Sequence, residues 1–131
     1  MYPTNSTEVN KYILGDCKAN IVVCEDAEKA KKIWDIRDEL PNLKKIVVWS
    51  GEAPNLEDVI SWTELMKIGT GVQDDSLIRE RHKNMAINQC AILVYTSGTT
   101  GNPKGAMISQ DNLTWTVEVI KTAVMIKKDD N

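Results

Sequence analysis

The chain has 131 residues and a formal charge of −3, with 16 Lys and Arg set against 19 Asp and Glu. That length holds at most one domain, and about two thirds of its unfolded surface can be buried. Acid and base are mixed along it with no basic patch, which excludes a nucleic-acid-binding surface as its business.

In chain order, Ser6 or Thr7 is placed to cap a short helix with Val9, Tyr12 and Ile13 on one face and a stop at Gly15. Residues 20–24 are a β-rich apolar run read as a buried strand. Asp26 then caps a helix with Ala30, Ile33, Trp34 and Leu40 inward, Lys29, Lys31, Lys32, Asp35 and Asp38 outward, and Pro41 as its end. Residues 44–49 form the second strand, and the two strands are expected as neighbours in a βαβ unit with a right-handed crossover. Residues 50–55 are a loop by composition. A short strand at Val59 and Ile60 precedes a helix capped by Ser61, running through Leu65 and Met66 to about Gly69. Residues 74–85 have a charged helical pattern with Leu77, Ile78 and Met85 as its apolar contacts. Residues 90–95 are a strand, 105–108 a return strand, and Ser109 caps a helix from Gln110 to about Met125 with Leu113, Val117, Ile120 and Val124 as a buried stripe. Residues 127–131 are polar and expected to fray. The alternation is that of an α/β protein, in which ligands sit beyond the carboxyl ends of the strands.

At that end of the 90–95 strand lies Tyr95-Thr96-Ser97-Gly98-Thr99-Thr100-Gly101-Asn102-Pro103-Lys104-Gly105. Residues 96–105 supply four hydroxyls, three glycines and a lysine. Glycines permit positive φ and close backbone approach, hydroxyls and free N–H groups donate inward, and the lysine adds a formal charge. This is the chemistry of a polyphosphate cradle. It is not a Walker loop, because counting from Gly98 places Pro103 at the second glycine and Gly105 at the magnesium-binding hydroxyl; nor do Gly98, Gly101 and Gly105 fit the dinucleotide spacing. Lys104, stiffened by Pro103, is the candidate phosphate contact, as a point charge; the alternative is an exposed surface lysine. Thr96, Ser97, Thr99 and Thr100 either donate to phosphate oxygens or satisfy the loop's own carbonyls. Gly98, Gly101 and Gly105 are expected to serve through backbone conformation.

The segment TSGTTGNPKG resembles the phosphate-binding signature of the adenylate-forming superfamily of acyl-CoA synthetases, luciferases and adenylation domains. The following residues, Ala106 to Thr116, resemble those of the bubblegum-type long-chain fatty acyl-CoA synthetases, with Gln110 where most of the superfamily carries histidine. The opening 2–6 and the Tyr12-Ile13 helix look similar too. The resemblance implies an α/β fold: a partial three-layer sheet with flanking helices, a slice of the large N-terminal domain. On it, residues 1–131 are expected to be a fragment of an AMP-binding domain, with the signature loop at 96–105. The later acidic motif, the ribose-binding aspartate, the hinge and the catalytic lysine of such enzymes have no counterpart here, so no complete catalytic set is expected. The implied reaction joins a long-chain fatty acid to coenzyme A through an acyl-adenylate. It uses ATP with Mg2+, whose ligand would lie outside this chain. The implied setting is intracellular, in the cytoplasm or at the endoplasmic reticulum surface, with peripheral membrane association of the parent enzyme. The alternatives are another acid-activating adenylate-former, or a non-catalytic truncated binding module.

The remaining candidates carry bland readings. Cys17, Cys24 and Cys90 offer neither a zinc site nor a disulfide framework; Cys24 and Cys90 lie in apolar runs and are expected to be buried, as in a reducing compartment. His82, the single histidine, stands among Arg79, Glu80, Arg81 and Lys83 on an expected solvated face. Trp34, Trp49, Trp62 and Trp115 are expected in or beside the core. No apolar run approaches the ~18 residues that would span a bilayer, and the start at Met1-Tyr2-Pro3-Thr4 has neither a basic nor an apolar leader segment.

Overall fold

The computed structural model describes residues 4–96 and 101–124. Helix α1 (Thr7–Asp16) opens on Ser6, whose hydroxyl oxygen accepts the Val9 N–H at 3.3 Å. The helix does not stop at Gly15, which stays within it. The chain leaves at Lys18, held at a left-handed φ of 50°, while the Ala19 N–H donates to the Leu14 carbonyl and the Lys18 N–H to that of Gly15. This is a Schellman closure with lysine in the position glycine usually takes. It brings Ala19 against the core that contains Leu14 and leads directly into the first strand.

Strand β1 (Ile21–Cys24), helix α2 (Ala27–Trp34) and strand β2 (Lys45–Val48) form the expected unit, with β1 and β2 parallel and Ile21 opposite Lys45. Strand β3 (Val59–Ser61) lies parallel on the other side of β2, with Ile46 opposite Val59, so the sheet order is β1-β2-β3. Helix α2 is shorter than its periodicity predicts. It ends at Trp34, and a single 3-10 turn at Arg37–Glu39 delivers Leu40 to the core instead. The outer face of α2 carries the Lys32–Glu28 and Lys31–Asp35 pairs at 2.8 and 2.7 Å, exposed and individually minor for stability.

The alternation of β1 turns Val22 and Cys24 inward and leaves Ile21 and Val23 outward. Ile46 and Val48 of β2, Ala30 and Ile33 of α2, Leu14 and Leu40 close the core around them. Burial also pushes the Cys24 thiol up from its ordinary pKa. Each of Ile46, Val47 and Val48 is fully buried, contributing about 1.5–3 kcal/mol by removal from water. Among the described residues every buried hydrophobic side chain lies between positions 13 and 48.

Asp26 caps α2: its Oδ1 accepts the Lys29 N–H at 2.8 Å, and its Oδ2 accepts from Lys29 Nζ at 2.7 Å. These hydrogen bonds from Lys29 hold the carboxyl below its ordinary range. A carboxyl depressed by folding contributes stability above its unfolded pKa of about 3.9 and loses it as pH falls through the lower folded value. The urea midpoint of the chain is therefore expected to drop below about pH 4. Asp26→Asn keeps an oxygen at the cap but has nothing to titrate, so it should flatten that acid limb. Superimposable acid limbs for both proteins would remove Asp26 as a contributor.

Beyond β3 the chain is differently packed. Helix α3 (Trp62–Thr70) starts on Ser61, whose Oγ accepts the Glu64 N–H at 3.1 Å. Helix α4 (Ser76–Lys83), strand β4 (Cys90–Thr96), strand β5 (Lys104–Ser109) and helix α5 (Gln110–Val124) follow. Strands β4 and β5 do not join the parallel sheet; they form an antiparallel pair of their own. Several expectations of burial fail in this half. Leu77 and Ile78 on α4 are exposed, as are Met85, Val117 and Ile120; Leu113 is half-buried, and the Val124 side chain lies outside the described residues, like the expected fraying end at 127–131. Cys90 is exposed while Cys24 is buried. Trp34 and Trp62 are half-buried, but Trp49 and Trp115 are exposed; Trp49 meets Trp62 edge-on at 4.5 Å. His82 is exposed as expected.

Candidate functional site

The loop that carries the candidate residues is the connection of the β4–β5 hairpin, not a turn at the edge of a parallel sheet. The rule that ligands gather at the carboxyl ends of parallel strands therefore does not place it. Pairing runs from Cys90 opposite Ser109, with an irregularity before Ile92, to Tyr95 opposite Gly105 and finally Thr96 opposite Lys104. Directly opposed residues of an antiparallel pair share a face, and successive residues alternate. Thr96 and Lys104 thus share one face of the hairpin neck, and Tyr95 and Gly105 share the other.

The neck brings together two of the expected phosphate contacts, Thr96 and Lys104. Both are exposed, and among the described residues Lys104 is absent from every ion pair. Ser97, Gly98, Thr99 and Thr100 lie outside the described residues. Gly101 holds a φ of 92° with nothing within 4 Å of a would-be Cβ, so its requirement is conformational, as expected. Gly105 differs. Its need is for space, because a Cβ there would stand 3.0 Å from Cζ of the Tyr95 ring and 3.3 Å from its Cε1. The tyrosine ring lies against the strand opposite, where only glycine leaves room.

Tyr95 is the residue the sequence reading passed over. Its hydroxyl donates to Asp16 Oδ2 at 2.5 Å, across 79 positions of sequence, and this contact holds the phenol's pKa well up. No local pattern announces such a pair.

The return from the hairpin is also fixed. Ser109 N–H donates to Asn112 Oδ1 at 3.0 Å and Asn112 N–H to Ser109 Oγ at 3.1 Å, a reciprocal cap with asparagine in the glutamate position. The N–H groups of Gln110 and Asp111 donate to the carbonyls of Gln89 and Ile87. The start of α5 is thereby held to the segment that precedes β4.

No three His, Cys, Asp or Glu side chains gather among the described residues so as to hold a metal ion. A cleft of about 250 Å3 beside the start of β2 is lined by charged side chains partly engaged with one another: Lys45 meets Asp58, and the Arg37 guanidinium stacks over Trp34 at 3.8 Å. No helix among the described residues is long and apolar enough to cross a membrane.

A family model described as AMP-binding enzyme matches residues 1–131. The chain belongs to that family. It is 45% identical over 119 residues to the long-chain-fatty-acid–CoA ligase ACSBG1 of Bos taurus, a match covering 88% of this chain and 16% of that protein. It is 39% identical over 129 residues to the long-chain-fatty-acid–CoA ligase ACSBG2 of Xenopus laevis, covering 98% of this chain and 17% of that one. The chain thus spans about a sixth of the length of these relatives. Among solved structures it resembles the anthranilate CoA ligase AuaEII in complex with anthranoyl-AMP, with a TM-score of 0.65 and 28% identity over 90% of this chain and 21% of that chain. It also shares its fold with VinN in complex with L-aspartate, at a TM-score of 0.60 and 18% identity over 99% of this chain and 29% of that one. The α/β fold and the AMP-binding membership expected from the signature are both borne out.

Proposed function

We propose that this chain works as the phosphate-holding segment of an ATP-dependent long-chain fatty acid–CoA ligase. In that reaction a fatty acid carboxylate oxygen attacks the α-phosphorus of ATP, pyrophosphate leaves, and the coenzyme A thiol then displaces AMP from the acyl-adenylate. The observation that carries this reading is the 45% identity over 119 residues to a ligase of that substrate class, against 28% to the anthranilate ligase. The hairpin neck supports the part played by the loop. It sets Lys104 opposite Thr96 on one face of the neck, and the sequence between them supplies further hydroxyls, Ser97, Thr99 and Thr100. Donors fixed in advance around the β- and γ-phosphates orient the leaving pyrophosphate and offset the charge it develops. Coenzyme A and the acyl chain are given no contact by these residues.

Two measurements test the reading together. The intact ligase should form acyl-CoA from ATP, a long-chain fatty acid and coenzyme A. The 131-residue chain alone should form none above background, because it contains a phosphate cradle and no complete catalytic set. Thioester formation by the short chain, or failure of the intact protein to use long-chain fatty acids, would overturn it.

A further inference from the structure

We propose that Tyr95 and Asp16 form a tether that fixes the direction in which the hairpin neck presents Lys104 and Thr96, an inference that rests on the loop's reading as a phosphate site. Both are positioning residues. The neck has two faces. Thr96 and Lys104 occupy one, and Tyr95 and Gly105 the other. Whatever holds the second face in place determines where the first one points.

The tyrosine holds that second face in two ways. Its ring lies over Gly105, with a would-be Cβ only 3.0 Å from Cζ, so a side chain of β4 spans the backbone of β5 and engages both strands of the neck. Its hydroxyl then reaches Asp16. Asp16 is the last residue of α1, a helix anchored by buried Ile13 and Leu14 and closed by the hydrogen bonds of Lys18 and Ala19. One end of the tether is thus in the well-packed part of the chain, and the other is at the residues adjoining Thr96 and Lys104. No residue of β4 or β5 is fully buried, Tyr95 and Gly105 being half-buried. The neck therefore depends on this contact for its orientation more than a strand inside a packed sheet would.

The test uses the intact ligase and its fatty-acid-dependent exchange of pyrophosphate into ATP. Tyr95→Phe keeps the ring over Gly105 and removes only the hydroxyl; Asp16→Ala removes the acceptor from an exposed position that does not threaten folding. Each should raise the KM for ATP about three- to tenfold, the range of one net hydrogen bond, and leave the KM for fatty acid unchanged. The double variant should be no worse than either single one. Asp16→Asn keeps an oxygen that can accept, and should recover most of the loss. An unchanged KM for ATP in both single variants, an equal rise for both substrates, or additive effects in the double variant would overturn the tether. Lys104→Ala run alongside separates the two ideas. If it slows exchange while the Tyr95 and Asp16 variants do not, only the tether is lost. If it too has no effect, the phosphate reading beneath the tether is overturned with it.

Discussion

Lys104→Ala in the intact ligase is expected to slow adenylate formation about ten- to a hundredfold, the range set by one charge-assisted hydrogen bond. The lysine closes the hairpin neck opposite Thr96 and is exposed there. No carboxylate among the described residues claims it in an ion pair. Pro103 immediately before it limits the backbone freedom at the loop exit. In the proposed role the ammonium would address phosphate oxygens only, so the KM for fatty acid should stay where it is. Lys104→Arg should restore part of the rate, since charge is kept while a compact point donor is replaced by a larger planar fork. Pyrophosphate exchange measured over a range of ATP and fatty acid concentrations checks both statements. Equal rates for the alanine variant and the parent would remove Lys104 from the site.

The elements of the first half were legible because each rests on a local signal. Asp26 and Ser61 sit one position before their helices with free N–H groups in reach, and the runs at 20–24 and 44–49 are short, β-branched and bounded by polar residues. What escaped there were terminations. Gly15 looked like the stop, but the left-handed position falls on Lys18, because the closure must bring Ala19 back against Leu14. Helical spacing puts Leu40 on a continuous helix, whereas the 3-10 turn that leads to it leaves no trace in that spacing.

In the second half the apolar pattern named elements correctly and misjudged their surroundings. An unbroken run such as Ile92-Leu93-Val94 is the mark of a strand covered on both faces. Here β4 is paired among the described residues on one side only, by β5, and all three side chains are exposed. The same holds for Val117 and Ile120 on α5. A periodicity reports that a face is apolar and does not report what lies against it. The loop motif was legible from spacing, whereas the Tyr95–Asp16 contact, made by residues 79 positions apart, exists only in three dimensions.

This uneven packing leads to the other large effect expected. In amide hydrogen exchange on the 131-residue chain, Val22 to Cys24 and Ile46 to Val48 should be protected by orders of magnitude more than Leu93 to Tyr95 and Ala106 to Ile108, since local opening spans the range from near zero to the global stability. The first set lies in a parallel sheet backed by α1 and α2, with Ile46, Val47 and Val48 almost without exposure. The second belongs to a two-stranded hairpin, an arrangement of marginal stability by itself in water; its ladder hydrogen bonds are covered by no buried side chain. Ile46→Ala should then cost about 2–5 kcal/mol of the cooperative unit, while Leu93→Ala should leave that unit's urea midpoint nearly unchanged. The exposed Ile92, Val94 and Met107, together with Val23 on the edge strand β1, also favour association, so sedimentation should show oligomers growing with concentration. Equal protection in β2 and β4, in a chain that stays monomeric, would mean that the hairpin and the parallel sheet fold as one cooperative body.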